Sequence, residues 1–230
     1  MMKRFSTSCC LITFFLLNSV MLYAQHENTS VQQWKIEDES RALQMIERAD
    51  TVELIVPGGL TMWYQQRLTG DYEINYRICM VMKGGKYDRL SDLNCFWAAN
   101  DPKNPDNLFA RSEWRNGGFK NYNTLDLFYV GYGGNDNSTT RFRRYNGKYY
   151  GVADDKVKPL LREYTDTPHL LVPNQWYQIS IRVQKGVTTY SVNGEELFRY
   201  SITGSEGDGH FGLRLLQNHV LFTDFKVTIF

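Results

Sequence analysis

The chain has 230 residues, with 26 Lys and Arg against 25 Asp and Glu, and a formal net charge of +1. A balanced charge of this kind creates no overall field that would steer the protein toward nucleic acid or an anionic membrane, so neither partner is predicted. Any preference for an anion must therefore come from a local cluster of cationic side chains.

The first 24 residues have the pattern of a secretory signal peptide. Lys3 and Arg4 precede an apolar run over residues 9–23, and Ala24 is a small residue suited to the cleavage site. The apolar run is too short and too interrupted to span a membrane comfortably. We expect cleavage after Ala24 and export to the periplasm or beyond, with no membrane attachment afterwards; an uncleaved anchor is the alternative.

Removal of the signal peptide leaves 24 basic and 25 acidic residues and two cysteines, Cys79 and Cys95. An exported protein can join two cysteines in a disulfide, but both lie among apolar residues of predicted strands, so two buried free thiols are an equal alternative. No CxxC or HxxxH spacing predicts a metal site. Residues 25–33 are polar and predicted to be a disordered lead, and residues 34–230 are predicted to form one domain.

Short alternating segments dominate the first half of the domain. Residues 34–38 predict a strand, and residues 40–48 favour a strand or irregular structure over a short helix. Residues 51–56 alternate until Pro57-Gly58-Gly59, which predicts the end of that strand, and another apolar run follows at 60–65. Residues 72–82 give the longest alternation, typical of a half-buried antiparallel strand.

The segment 91–115 begins as a strand with two different faces. Leu93, Cys95 and Trp97 alternate with Asp92 and Asn94. Because successive side chains of a strand point to opposite sides, this pattern predicts an apolar face in the core and a polar face that borders a groove.

Strands recur to the end of the chain. Residues 125–132 and 139–145 predict a hairpin, residues 154–168 a polar connection, and residues 176–184 and 188–192 two strands followed by an Asn193-Gly194 hairpin turn. Residues 209–217 and 220–230 predict two closing strands. With no long helical period and no repeat, the sequence predicts an all-β jelly roll of two stacked antiparallel sheets.

Several segments resemble known sequences. The runs WYQISIRVQKGVTTYSVNGEELFRY and GHFGLRLLQNHVLFTDFKVTI resemble the closing strands of concanavalin A-like lectin and glucanase jelly rolls. The segments SDLNCFWAAND, DNLFAR and YVGYGGNDNSTTRFRRY resemble one family of that superfamily, a secreted bacterial domain of unknown function of the 6250 type, and the resemblance covers residues 34–230. It implies a concanavalin A-like fold and a carbohydrate environment, but it implies no particular reaction.

Two reaction types are known for carbohydrate-active jelly rolls, and each requires particular catalytic residues. The retaining glucanases of the superfamily carry paired carboxylates in an E-x-D-x-x-E motif, which this chain lacks. A lyase instead needs a group that neutralises a uronate and a Tyr or His that moves the proton. For such a groove the candidates are Asp92, Asn94, His210 and Arg214; a salt bridge between Arg214 and Asp92 is the alternative role for that pair.

Candidate substrate-binding residues are cationic or aromatic. Arg141 and Arg143 share one strand face, where they could grip an anionic sugar or merely protect a sheet edge. Arg111 is a further cation, and Trp63 and Tyr129 are candidate stacking platforms for sugar rings.

The sequence predicts no cofactor, although a structural Ca²⁺ held by Asp136, Asp154 and Asp155 is left open. The leading hypothesis is an exported carbohydrate-active protein that acts on or binds a plant-type or acidic polysaccharide or oligosaccharide, with a lyase-like or hydrolase-like groove. A noncatalytic glycan-binding module and a structural protein of the cell envelope are the alternatives, and whether the protein is an enzyme stays undecided.

Overall fold

The structure, a computed structural model, describes residues 26–27 and 31–230. The predicted signal peptide, residues 1–24, lies outside the described residues. Within the predicted lead, His26–Glu27 is a strand and Val31–Gln33 is a turn of 3-10 helix, so its described part is regular. No helix in the described part of the chain is long and apolar enough to cross a membrane.

Thirteen antiparallel strands make up the described fold, connected by loops and single helical turns. They are β1 (His26–Glu27), β2 (Trp34–Asp38), β3 (Gln44–Arg48), β4 (Thr51–Tyr64), β5 (Tyr72–Met80), β6 (Leu93–Asn100), β7 (Asp126–Gly133), β8 (Thr139–Tyr145), β9 (Leu160–Tyr164), β10 (Trp176–Gln184), β11 (Val187–Val192), β12 (Glu195–Ser201) and β13 (His210–Ile229). The predicted jelly-roll class is confirmed, and so is the strand interpretation for residues 44–48.

Strands β4 and β13 are long and pass from one sheet into the other. The two strands are antiparallel and pair with each other on both sides of an irregularity in register. Leu216 of β13 lies opposite Gly59 of β4, and Asn218 lies opposite Val56. The N-terminal half of β13 also pairs with β6, and its C-terminal half pairs with β5. We call one sheet the front sheet, with the strand order β2-β4-β13-β6-β7-β8-β9. The other is the back sheet, with the order β3-β4-β13-β5-β10-β11-β12, and β4 and β13 belong to both.

Because β4 and β13 bend where they pass between the sheets, two predicted strand ends are wrong. The prolyl and glycyl residues 57–59 do not end the strand, and the predicted closing strands 209–217 and 220–230 are one strand. At the bend the buried Asn218 side chain accepts a hydrogen bond from the Leu216 N–H at 2.7 Å and donates to the Ser91 carbonyl at 2.8 Å. These bonds satisfy backbone groups that the interrupted ladder leaves free.

The main core lies between the two sheets. The predicted alternation in β5 holds, because Tyr72, Ile74, Tyr76, Ile78 and Met80 are all buried there. Cys79 and Cys95 are free, buried thiols, and burial raises the pKa of Cys95 to about 12, so this thiol stays protonated.

Leu93, Cys95 and Trp97 also face this core, as their alternation predicts. The Trp97 ring stacks on Phe142, with ring centres 5.7 Å apart, and its Nε1–H donates to Thr188 Oγ1 at 2.8 Å. This indole stabilises the core, because its apolar surface is shielded from water and its N–H has a hydrogen-bond acceptor.

A helical segment packs over the outer surface of the front sheet and encloses a second core. This segment, residues 107–124, contains the turns Leu108–Arg111, Ser112–Arg115 and Phe119–Thr124, and is called the cap. Beneath it lie the buried side chains Trp63, Phe96, Ala99, Leu108, Tyr122, Leu125, Leu127, Tyr129 and Tyr145. The cap therefore covers much of the face that the sequence predicts to be an open groove.

One ionic cluster holds the loop before β6 against β4 and β13. His219 Nε2 lies 2.8 Å from Glu53 Oε1, and its Nδ1 lies 3.0 Å from Asp88 Oδ1. The hydrogen bond with His219 lowers the pKa of Glu53. Burial alone would raise the pKa of Asp88, but hydrogen bonds from the Lys83 and Gly85 N–H groups and from His219 outweigh it and lower that pKa.

This cluster predicts a loss of stability in acid. Because both folded-state pKa values lie below the ordinary 4.5 of Glu53 and 3.8 of Asp88, the stabilisation is complete above these values and disappears as the pH falls through the lowered ones. We expect the melting temperature of Glu53→Gln to fall less steeply than that of the wild type below pH 4.5. The exposed Glu47→Gln is the control, and equal slopes for wild type and Glu53→Gln would contradict the assignment.

Candidate functional site

A row of polar residues crosses the outer face of the front sheet. The strand register places Arg214 opposite Asn94, Asn94 opposite Gly131, and Gly131 opposite Arg141, which in turn faces Glu163. The adjacent row contains Phe96, Tyr129 and Arg143. Because residues paired in this way lie side by side on one face, Asn94, Tyr129, Arg141, Arg143 and Arg214 share the face on which the cap rests.

A cavity of about 250 Å³ opens where the cap leaves this face uncovered. Four of the sequence-predicted residues, Asp92, Tyr129, Arg141 and Arg143, line it. The other lining residues are Phe119, Gly131, Gly134, Asn135, Thr139, Tyr145 and Lys158. This space, called the front cavity, is smaller than the ~300–1,000 Å³ usual for drug-sized ligands and suits a unit about the size of one sugar ring.

Cations cluster at one side of the front cavity. The Arg143 Nη1 donates to the Lys158 carbonyl at 2.8 Å, which brings the two residues together. Burial lowers the pKa of Lys158, and the nearby positive charges of Arg143 and Lys120 lower it further. Among the side chains that the structure describes, which do not include that of Asp154, no carboxylate lies within 4.0 Å of these three cations.

Such an arrangement costs free energy in the unliganded protein, since like charges repel and burial removes water from an ammonium group. A bound anion would relieve both effects. The Lys158 Nζ also lies 5.9 Å from the centre of the Phe119 ring, so an aromatic surface supplied by the cap adjoins the cations.

The acidic residues beside the cavity are already paired. Asp92 has a positive φ of 62° and bonds to Arg89 at 2.6 Å, while Arg141 bonds to Glu163. Asp92 therefore does not form the salt bridge with Arg214 that the sequence left as an alternative. Among the described residues that line the front cavity, Asp92 has the only carboxylate.

Tyr129 and Tyr145 form an aromatic wall whose ring centres are 5.7 Å apart. Burial raises the pKa of both phenols, so each hydroxyl stays protonated at neutral pH. The Tyr129 ring leans over Gly131, where an added Cβ would lie 2.4 Å from its hydroxyl oxygen. A glycine at this register position is thus what leaves room for the tyrosine in the cavity wall.

Comparison with known proteins agrees with this fold. The family model for the domain of unknown function DUF6250 matches residues 54–225. The chain belongs to this family. No curated protein sequence matches this DUF6250 domain significantly.

Solved structures resemble the DUF6250 domain at low sequence identity. A protein of unknown function with a galectin-like fold from Bacillus subtilis matches with a TM-score of 0.65 and 16% identity, over 90% of this chain and 98% of that one. Carbohydrate-binding module CBM66 from Bacillus subtilis matches with a TM-score of 0.53 and 10% identity, over 86% and 96%. The VIP36 exoplasmic/lumenal domain, bound to Ca²⁺ and Man3GlcNAc, matches with a TM-score of 0.52 and 12% identity, over 87% and 85%. These likenesses establish the shared fold.

Two predicted binding residues of the DUF6250 domain lie away from the front cavity. Trp63 is fully buried and stacks on Phe96, with ring centres 5.5 Å apart, so its ring is not available as a platform for sugar. Arg111 bonds to Asp101 at 2.8 Å and to Thr124 at 2.7 Å, within the cap and the loop before it. The contacts of Trp63 and Arg111 therefore stabilise the fold and do not face the front cavity.

Two predicted catalytic residues are covered by the cap. Arg214 is 2% exposed and donates to the Gly117 carbonyl at 2.6 Å, and burial lowers its pKa. His210 is 7% exposed, its Nδ1 lies 3.1 Å from the Tyr64 carbonyl oxygen, and burial lowers its pKa. The predicted set Asp92, Asn94, His210 and Arg214 therefore does not meet in one accessible groove.

Asn94 is closer to the cavity than these two. Its Nδ2 lies 3.3 Å from Asp92 Oδ1, and its buried Oδ1 has no hydrogen-bond partner among the described residues. Since a buried carbonyl oxygen without a partner is costly, this atom is available to a water molecule or a ligand hydroxyl next to Asp92.

Sequence reasoning missed Lys158 and Phe119. Lys158 lies in a segment predicted to be a polar connection, where the structure has a helical turn, Asp154–Val157, and the edge strand β9. The calcium site stays a prediction; of its proposed ligands, Asp136 bonds to Arg89 at 2.8 Å. The side chain of Asp154 lies outside the described part of the structure, and among the described side chains no cluster of three His, Cys, Asp or Glu is arranged to hold a metal ion.

Proposed function

We propose that this protein is an exported, noncatalytic module that binds an acidic glycan, with a uronic acid residue seated in the front cavity. The observation that carries the proposal is the pair of cationic side chains that line the cavity, Arg143 and Lys158, which have no carboxylate partner among the side chains that the structure describes. A uronate carboxylate would accept charge-assisted hydrogen bonds from Arg143 and Lys158. The Tyr129–Tyr145 wall and Phe119 offer apolar surface to the sugar ring.

Binding is favoured over catalysis for reasons of geometry and protonation. Retaining hydrolysis needs two carboxyl groups about 5–5.5 Å apart, whereas the described lining of the cavity has the single carboxylate of Asp92, which bonds to Arg89. Lyase chemistry needs an accessible base, but His210 lies under the cap and the pKa values of Tyr129 and Tyr145 are raised. Residues 1–24, with their signal-peptide pattern, support export to a compartment where polysaccharides are found.

The test is to mix the purified protein with uronic acid polysaccharides and with neutral glucans, and to follow binding and product release in the same samples. We expect retarded electrophoretic migration in the acidic polymers, with no new unsaturated ends and no new reducing ends. Retardation should weaken as salt is added, because the contact is between charges at a partly exposed site. Release of either product would show that the site is catalytic, and equal retardation by neutral glucans would contradict the choice of an acidic ligand.

A further inference from the structure

A second cavity, of about 430 Å³, lies at one end of the sandwich, remote in sequence from the cap. It is bounded by the loop 167–175 on one side and by the turn between β11 and β12 on the other. Its floor is formed by the buried side chains Tyr132, Tyr177, Val192 and Leu197. This space, called the end pit, combines an apolar floor with a polar rim, which is the usual construction of a small-molecule site.

The rim places an imidazole and a carboxylate on either side of a gap. His169 Nδ1 bonds to Asp166 at 2.8 Å, and the ring stacks on Tyr164 with centres 3.9 Å apart. These contacts fix the orientation of the ring and leave Nε2 as its unbonded nitrogen. Nε2 lies 4.0 Å from Glu195 Oε1, which is too long for a hydrogen bond but short enough for one hydroxyl group to bond to both atoms.

Two more polar groups are available at the same place. The Tyr132 hydroxyl has no hydrogen-bond partner among the described residues. The Asn193 Oδ1 accepts a bond from the Gln178 N–H at 2.9 Å, which holds the side chain and leaves its amide N–H groups as donors. The end pit thus presents a carboxylate acceptor, an amide donor, a phenol and one imidazole nitrogen around an apolar floor.

The charge of the end pit is opposite to that of the front cavity. Its described lining includes Glu195 but no Lys or Arg. The Glu195 carboxylate would repel a uronate or sulfate, and no Lys or Arg in the described lining offsets that repulsion, so an acidic sugar is disfavoured there. An uncharged sugar ring carries both hydroxyl groups for the rim and an apolar face for the floor.

We propose that the end pit is a second glycan site, which binds one residue of an uncharged sugar. A ring hydroxyl lies between His169 Nε2 and Glu195, a neighbouring hydroxyl bonds to Tyr132 or Asn193, and the apolar face of the ring rests on Leu197 and Val192. The site is independent of the front cavity, so a single protein could hold a mixed polymer at an acidic and a neutral residue.

The test is calorimetric titration of the mature protein with neutral mono- and oligosaccharides, and with the corresponding uronic acids. We expect a neutral sugar to bind. Tyr132→Phe should weaken that binding by about 2- to 10-fold, the range for a lost neutral hydrogen bond, and Glu195→Gln by about tenfold or more, the range for a lost bond to a charged group. Glu196→Gln is the matched control, since Glu196 lies next to Glu195 but does not line the end pit. It should bind as the wild type does.

Variants at each cavity distinguish neutral-sugar binding in the end pit from acidic-glycan binding in the front cavity. Arg143→Gln should leave neutral-sugar binding unchanged, and Glu195→Gln should leave uronic-acid binding unchanged. Failure of every neutral sugar to bind, or neutral binding that Tyr132→Phe and Glu195→Gln leave intact, would overturn the second site whatever happens at the first.

Discussion

Replacing Arg115 by alanine is expected to destabilise the protein by about 3–5 kcal/mol, the usual cost of removing one partner from a buried ion pair. Arg115 is fully buried, and its Nη2 bonds to Glu37 Oε1 at 2.8 Å. Glu37 also accepts hydrogen bonds from Ser112 at 2.6 Å and from Tyr122 at 2.6 Å. Without the guanidinium, the carboxylate would remain buried beneath the cap with no countercharge.

The measurement is the free energy of unfolding from urea titration. Arg199→Ala is the control, because Arg199 forms an ion pair with Glu196 in which the arginine side chain is 60% exposed, and such surface pairs contribute about 0–1 kcal/mol. Since Glu37 is on β2 and its partners are on the cap, Arg115→Ala should also loosen the cap and weaken ligand binding at Phe119. An effect no larger than that of Arg199→Ala would contradict the anchoring role of this cluster.

Removing the charges of Arg143 and Lys158 at the front cavity should abolish most acidic-glycan binding without destabilising the fold. Each charge-assisted contact contributes about 1.5–3 kcal/mol, so Arg143→Gln alone should weaken binding by about 10- to 100-fold, and the double variant with Lys158→Gln by more. The Lys158 ammonium is partly buried beside like charges, which lower its pKa. Its removal should therefore leave the free energy of unfolding unchanged or raised, as is common for groups kept for function.

The matched control is Arg182→Gln with Lys185→Gln, which removes the same net charge from exposed positions in β10 and in the turn after it. If binding depends on the cluster at the front cavity, this control binds as the wild type does. Equal weakening in both double variants would mean that the attraction comes from net charge alone. A marked loss of stability in the Arg143→Gln and Lys158→Gln variant would mean that the two cations serve the fold.

Sequence periodicity predicts those parts of the fold in which one strand face is buried and the other is not. The alternation in β5 and in residues 93–97 gives the core face directly, because the period of two is local information. The bend in β4 escapes such reasoning. Pro57 and the two glycines after it have the same local signal whether the chain turns back or crosses into the second sheet, and only pairing with β13 decides between these outcomes.

The candidate site is predicted in part, for a related reason. Arg141 and Arg143 lie on one strand and Tyr129 on its hairpin partner, so their shared face follows from register. The burial of Trp63 and Arg214 depends on where the cap docks, which is a long-range contact with no periodic signal. Lys158 reaches the cavity from an edge segment whose sequence predicts only a connection, so its role becomes visible only when the strands are assembled.

Comparison of two ligands that differ only in charge tests the central claim most directly. The wild-type protein would be titrated by calorimetry with a uronic acid oligosaccharide and with its methyl ester, which keeps the sugar, the linkage and the length. We expect esterification to weaken binding by about 10- to 100-fold, because the ester cannot neutralise Arg143 and Lys158. Equal affinity for the acid and the ester would contradict the assignment of the front cavity to an acidic glycan.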